Sequence, residues 1–233
     1  MVNSSNGYIG YTNTSSNNSV LVAGENSSWS NALDLFVGND GSSNSLVISN
    51  RASVVNAVGY IGSTTNSSNN SVLVTSARST WTNSDNLVVG SEGSSNSLVI
   101  SSGGRVASLG GYGTIGDYSS NNTVLVTGLD STWTNSNELQ VGYEGSSNSL
   151  VISDGGIVAN SGLGTIGVES ISSNNIVTVT GSGSAWTNTG DLYVGFDGSS
   201  NSLVITNGGS VVNSNGYIGS NAVSSNNLSL IHI

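Results

Sequence analysis

Ser42-Ser43-Asn44-Ser45-Leu46-Val47-Ile48-Ser49 returns at Ser94–Ser101 and Ser146–Ser153, and once more at Ser199–Thr206 with threonine in the last place. A looser version lies midway between these copies, at Ser15–Val22, Ser67–Val74, Ser119–Val126 and Ser172–Val179. Laid on one register, both versions share a single asparagine column: Asn18, Asn44, Asn70, Asn96, Asn122, Asn148, Asn175, Asn201 and Asn227. Its steps are 26 residues, with one of 27 between Asn148 and Asn175. A fixed period of this length marks a chain built by stacking one structural unit on the next.

Each turn holds three short runs rich in β-branched or aromatic side chains, such as Leu35-Phe36-Val37, Leu46-Val47-Ile48 and Val54-Val55. Gly, Ser, Asn and acidic residues separate the runs, as they do between strands. No window repeats its apolar residues with a period of 3.6, so no helix is expected. The pattern predicts an all-β fold: a right-handed parallel β-helix, or β-solenoid, with three short strands per turn and about nine turns. Its hand follows from the crossover rule. At the usual strand spacing it forms a rod on the order of 40 Å long. A 52-residue unit would also suit a four-bladed propeller. The 26-residue half-repeat is as regular as the whole, which counts against blades.

Alternate side chains of a strand face opposite sides. The inward pairs are then Val20 and Val22, Leu46 and Ile48, Val72 and Val74, Leu98 and Ile100, and so on through Leu203 and Ile205. Trp29, Trp81, Trp133 and Trp186 occur in every second turn. A uniform step sets Val55, Ala107, Ala159 and Val212 against them, large beside small, as a close-packed core requires. The asparagines are expected at inward corners, their amides stacked rung upon rung. Between the two inward columns runs an outward one, Leu21, Val47, Leu73, Val99, Leu125, Val151, Thr178 and Val204. A continuous apolar stripe on a surface marks a candidate contact; its site residues are Leu21, Val47, Leu73, Val99, Leu125, Val151 and Val204.

Charge removes several functions. The net charge is −10, lysine is absent, and the cations are Arg51, Arg78 and Arg105. Such a chain has no basic patch for nucleic acid or for an anionic membrane surface. With no cysteine there is no disulfide and no thiolate metal site. No stretch has the length and apolarity of a bilayer span, and Met1–Asn6 lacks the features of a signal peptide. The chain reads as a piece of a longer protein, a single solenoid over residues 1–227 with its targeting signals elsewhere. Leu228–Ile233 departs from the repeat, which predicts something like Ser-Val-Leu-Val-Thr-Gly at that point. The six residues resemble a translated sequencing-library adapter, and the sole histidine, His232, lies among them.

Acids recur before a turn glycine at Asp40, Glu92, Glu144 and Asp197, and in a second column at Asp34, Glu138 and Asp191 beside Asn86. Carboxylates so placed have the chemistry for weak calcium binding, but turn formation and solubility account for them more simply. Asp117, Asp130, Asp154 and Glu169 stand outside the columns, and no motif gathers them with an arginine. A catalytic site needs a unique constellation, whereas most acids here are themselves repeated. No catalytic residue, cofactor or metal site is therefore assigned, and the chain is not read as an enzyme.

Asp191–Val211, with Val194-Gly195, Leu203-Val204-Ile205 and Gly208-Gly209-Ser210-Val211, resembles a known bacterial surface repeat, as does Val177–Asn188 with its closing Trp186-Thr187-Asn188. Both are similar to the repeats of autotransporter (type V secretion) passengers, also found in proteins with Pro-Glu-Pro sorting signals. The resemblance spans Gly7 to Asn227 and supplies no catalytic residues. It implies a structural or adhesive stalk, extracellular or held at the outer-membrane surface, with self-association or host-cell contact as its interactions. A carbohydrate-binding or polysaccharide-degrading β-helix is the alternative class.

Overall fold

The structure, a computed structural model, describes residues 2–232. Twenty-seven short strands form three nine-stranded sheets, and the described residues include no helix. One full coil shows the plan. The chain passes through a three-residue strand, Gly59–Ile61, a five-residue strand, Ser71–Thr75, and a four-residue strand, Thr80–Asn83. It then enters the next coil at Leu87–Val89, which pairs in parallel with Gly59–Ile61. Every sheet is built in this way from equivalent strands of successive coils, so the fold is the expected parallel β-solenoid. The three faces are named here for their strands: the glycine sheet, the long sheet and the tryptophan sheet.

The opening motif supplies the corner between the glycine and long sheets. The residue before each ladder asparagine adopts a left-handed backbone: Asn17, Ser43, Asn69, Ser95, Asn121, Ser147, Asn174, Ser200 and Asn226 have φ between 55° and 62°. Asparagine tolerates that region better than most side chains. The turn aims the following asparagine inward, where Asn44, Asn70, Asn96, Asn122, Asn148, Asn175 and Asn201 are fully buried. Each Oδ1 then accepts the backbone N–H of the asparagine one coil earlier, at 2.8–3.0 Å in all eight steps from Asn18 to Asn227. These are main-chain donors that no strand partner satisfies, so the ladder meets a requirement of the buried backbone. A glycine completes the corner. Gly116 has φ +71°, and a Cβ on it would lie 2.1 Å from Nδ2 of Asn148 in the next coil.

The aliphatic columns fall as expected. Leu98 pairs with Val72 and Val124, Ile100 with Val74 and Val126, and these side chains are buried. Burying an aliphatic of this size contributes about 1.5–3 kcal/mol, so the columns are the main stabilising component. Val20 and Val22 lie on an edge strand with one neighbour and are correspondingly half-buried; Trp29 and Ile205, one strand in from an edge, are half-buried too.

The tryptophan partners correct the sequence expectation. Trp81 pairs with Val54 and Val106, and Trp133 with Val106 and Val158, one residue earlier than a uniform period predicts. Val55 and Val212 point to solvent, and Ala107 and Ala159 are part-exposed. The reason lies in the preceding corner, which is one residue shorter in alternate coils: Val22 leads to Trp29, whereas Ile48 leads to Val54. The expected alternation of large and small survives this shift, and a second alternation compensates it. A Cβ on Gly113 would come within 2.6 Å of Cζ2 of Trp133. Each tryptophan coil opens its glycine strand with glycine, whereas the intervening coils open with Leu35, Leu87, Leu139 or Leu192. Gly plus Trp in one coil and Leu plus Val in the next keep the packed volume of successive rungs similar, as a dense core demands.

Leu228–Ile231 pairs with Ser202–Ile205 and carries the long sheet onward. Ser229 occupies a position that is aliphatic in the other coils. Ile233 lies outside the described residues.

Candidate functional site

Two faces differ from the rest of the rod. On the long sheet, Leu21, Val47, Leu73, Val99, Leu125, Val151, Thr178 and Val204 stand in direct register. The first is well exposed and the rest are part-exposed. Serine or threonine flanks most of them, and these hydroxyls bond along the column: Ser101 Oγ to Thr75 Oγ1 at 3.0 Å, Ser153 Oγ to Thr127 Oγ1 at 2.8 Å, Thr206 Oγ1 to Thr180 Oγ1 at 3.0 Å. No charged residue occupies any strand of this sheet. What sets this face apart is the aligned aliphatic column between rows of hydroxyls.

The strands of the glycine sheet are uncharged as well, but the sheet presents aromatic rings. Its outward central column begins with Tyr8, Phe36 and Tyr60, whose rings stack at 5.1 and 5.0 Å with interplanar angles of 7° and 5°. It ends with Tyr193 on Tyr217, 4.9 Å apart and 9° from parallel. Between them the column holds Val88, Thr114, Gln140 and Thr165. Where the large rings stop, a groove of about 360 Å³ opens. Val88, Thr114 and Gln140 form its floor, and Tyr112, Tyr118 and Tyr143 its walls; Asn86, Asp117 and Glu138 add polar groups.

Local departures from the repeat build this groove. The connector Leu109–Tyr112 has four residues, against two at Ala57–Val58 and three at Ser161–Leu163 in equivalent coils. The extra length places Tyr112 on the rim, where its N–H donates to Asn86 Oδ1 at 2.8 Å. In the same column, Asp34 and Asp191 accept backbone N–H groups from Val58 and Asn215 at 3.0 and 2.9 Å. Glu138 has one methylene more. Its Oε1 instead accepts from Gln140 Nε2 at 2.7 Å, beside the floor. Tyr118 and Tyr143 meet edge to face, centroids 6.1 Å apart.

Burial tunes the acids. Asp117 is half-buried, and desolvation together with the neighbouring Glu144 and Glu92 raises its pKa to about 6. Burial also raises Glu138, opposed by the hydrogen bond from Gln140. The charge on Asp117 is the main cause of an upward shift at Tyr118.

Of the acids in the first column, Glu92 and Glu144 stand near Asp117, while Asp40 and Asp197 lie elsewhere and have structural partners. Asp40 Oδ1 accepts from Thr64 Oγ1 at 2.6 Å and Asn66 Nδ2 at 3.0 Å, and Asp197 from Asn221 Nδ2 at 2.7 Å, tying one coil to the next. Asp130 and Asp154 occupy left-handed corner positions, with φ 63° and 52°. Among the described residues no three acidic, histidine or cysteine side chains gather as a metal-ligand set. Trp81, Trp133 and Trp186 are wholly buried, as core packing requires, and present no platform to solvent. Of the unrepeated acids, the structure brings Asp117 to the groove beside Glu138. No residue type announces the groove in the sequence; the signal is the set of positions at which columns change identity together.

Compared with protein-family models, with curated proteins and with solved structures, the chain matches none.

Proposed function

We propose that this chain is a non-catalytic structural segment of an exported bacterial surface protein, an autotransporter-like stalk, extracellular or held at the cell surface. The observation that carries this reading is the uncharged long face, with its aligned apolar stripe on a rod cross-linked along its whole length. A second copy of the rod is its partner. Two chains of net charge −10 repel one another, and on the long face they approach over uncharged strands, with Asp154 at the edge held by the Thr127 and Ser153 hydroxyls. Nine strands of about five residues offer on the order of 600 Å² per copy, near the ~800 Å² per partner of a standard interface. Because six of the nine rungs repeat the same Ser/Thr–aliphatic–Ser/Thr row, the face is largely complementary to itself.

Replacing Leu73, Val99 and Leu125 by threonine tests the idea. Threonine keeps β propensity, so the far-UV spectrum stays unchanged while sedimentation shows self-association lost. Association at the parent's level in this triple variant would remove the proposal.

A further inference from the structure

We propose that the groove on the glycine sheet, walled by Tyr112, Tyr118 and Tyr143, binds a short neutral oligosaccharide. This goes beyond the stalk reading and does not depend on it, since the groove and the apolar stripe lie on different faces.

The ligand class follows from what the groove offers and lacks. Tyrosine rings present an apolar face with a polar tip, which suits the C–H face of a pyranose bordered by hydroxyls. Tyr112 and Tyr118 are exposed, at 41% and 57%, so their rings are available to a ligand. Asn86 and Gln140 carry amides and Asp117 and Glu138 carboxyls, groups that pair with vicinal hydroxyls as donors and acceptors. The floor spans the three coils of Val88, Thr114 and Gln140, on the order of 10 Å, or about two pyranose rings.

Charge removes the competing small anions. Arg51, Arg78 and Arg105 all lie between the long and tryptophan sheets or at the start of the latter, away from the glycine sheet. Arg51 pairs with Glu25 at 3.2 Å. Glu92 and Glu144 stand beside Asp117, so phosphates, sulfates and uronates meet repulsion with no compensating cation. A basic peptide is the remaining rival. The central strands Leu87–Val89, Gly113–Ile115 and Leu139–Val141 are each paired on both sides. A peptide therefore cannot add as a strand, its main backbone-recognition mode. Val88 and Thr114, at 8% and 7% exposure, close the floor and leave no deep hole for an aliphatic anchor.

The test titrates the intact chain with a panel of neutral tetrasaccharides, built from glucose, mannose, galactose or N-acetylglucosamine, and follows tyrosine ring signals by NMR. A tetragalacturonide and a lysine-rich peptide serve as competitors. The expected result is saturable shifts of Tyr112, Tyr118 and Tyr143 with at least one neutral sugar, and no release of reducing ends. The double variant Tyr118→Ala, Tyr143→Ala should bind that sugar about tenfold or more weakly with an unchanged melting curve, while Tyr143→Phe retains binding. The threonine triple variant of the long face should bind as the parent does. No saturable shift with any neutral sugar at millimolar concentration overturns the proposal. So does binding of the peptide or the uronide alone, and so does the appearance of new reducing ends.

Discussion

Two ladders of buried asparagine run through this rod, and they tolerate change very differently. The corner ladder, Asn18 to Asn227, is unbroken. The other stands at the ends of the tryptophan strands: Asn31, Asn56, Asn83, Ser108, Asn135, Asn160 and Asn188. It contains good bonds, such as Asn56 Nδ2 to Asn83 Oδ1 at 2.6 Å, and it receives the indole, with Trp81 Nε1 donating to Asn56 Oδ1 at 2.7 Å. With its amide turned, Asn160 likewise accepts from Trp186 Nε1 at 3.0 Å. Yet it is interrupted at Ser108, where Ser108 Oγ, Trp133 Nε1 and Asn135 Oδ1 are buried without partners. The difference is what each amide serves. In the corner ladder the side chain satisfies a main-chain N–H that has no other acceptor. In the strand-end ladder the backbone is already paired within the sheet, so a lost amide orphans side chains alone.

The largest expected effect contrasts the two directly. Asn122→Ala removes the acceptor of Asn96 N–H at 2.9 Å and the Nδ2 bonds to Asn148 Oδ1 and Ser119 Oγ at 3.0 and 2.9 Å. A buried backbone donor is then left bare, and together with the lost Nδ2 bonds the cost is about 3–4 kcal/mol, of which the bare donor accounts for about 1–3 kcal/mol. Asn83→Ala loses the bond from Asn56 and a 3.3 Å bond to Ala107 O, at about 1–2 kcal/mol. Urea unfolding of both variants measures the gap, and hydrogen exchange should show the Asn96 amide opened by the first and untouched by the second. Equal losses would mean that the backbone requirement is not what separates the ladders.

The same distinction explains what was legible beforehand. A residue that must be asparagine in every coil leaves a column at constant spacing, so the corner ladder and the aliphatic rows beside it, such as Leu98 and Ile100, could be read directly. The strand-end ladder admits Ser108 and alternates its spacing, because its corner loses a residue in every second coil. That same corner moved the tryptophan partners from Val55 and Ala107 to Val54 and Val106. The groove was least legible: Tyr112, Asp117 and Gln140 are unremarkable singly and become a site only when three coils are stacked.

A smaller effect, of the opposite sign, should follow from repairing the broken ladder. Ser108→Asn puts an amide where Asn56 sits beside Trp81, within reach of the unpartnered Trp133 Nε1 and Asn135 Oδ1. Satisfying buried groups of this kind contributes about 1 kcal/mol, so the urea midpoint should rise. A lower midpoint would show that the rung lacks room for the larger side chain, and that Ser108 is retained for packing.

The smallest effect lies on the surface, where no ladder operates and the repeat has been broken for another reason. Asp117 titrates at about 6 in the folded chain against an ordinary 3.8, through burial first and then Glu144 and Glu92. Between these values the folded chain holds a proton that the unfolded chain has released, so this group's contribution to stability falls as pH rises from about 4 to about 6 and is flat above. Tyr118 also faces the carboxyl, and its pKa, raised from the ordinary 10, lies outside this window. Because Asp117 is half-exposed, solvent reduces the penalty well below that of a buried acid. Asp117→Asn removes it. The variant should match the parent near pH 4 and exceed it slightly at pH 7, measured as the urea midpoint at each pH. A difference that did not change with pH would place the cost of this position in its shape, and would separate the groove from the electrostatics assigned to it.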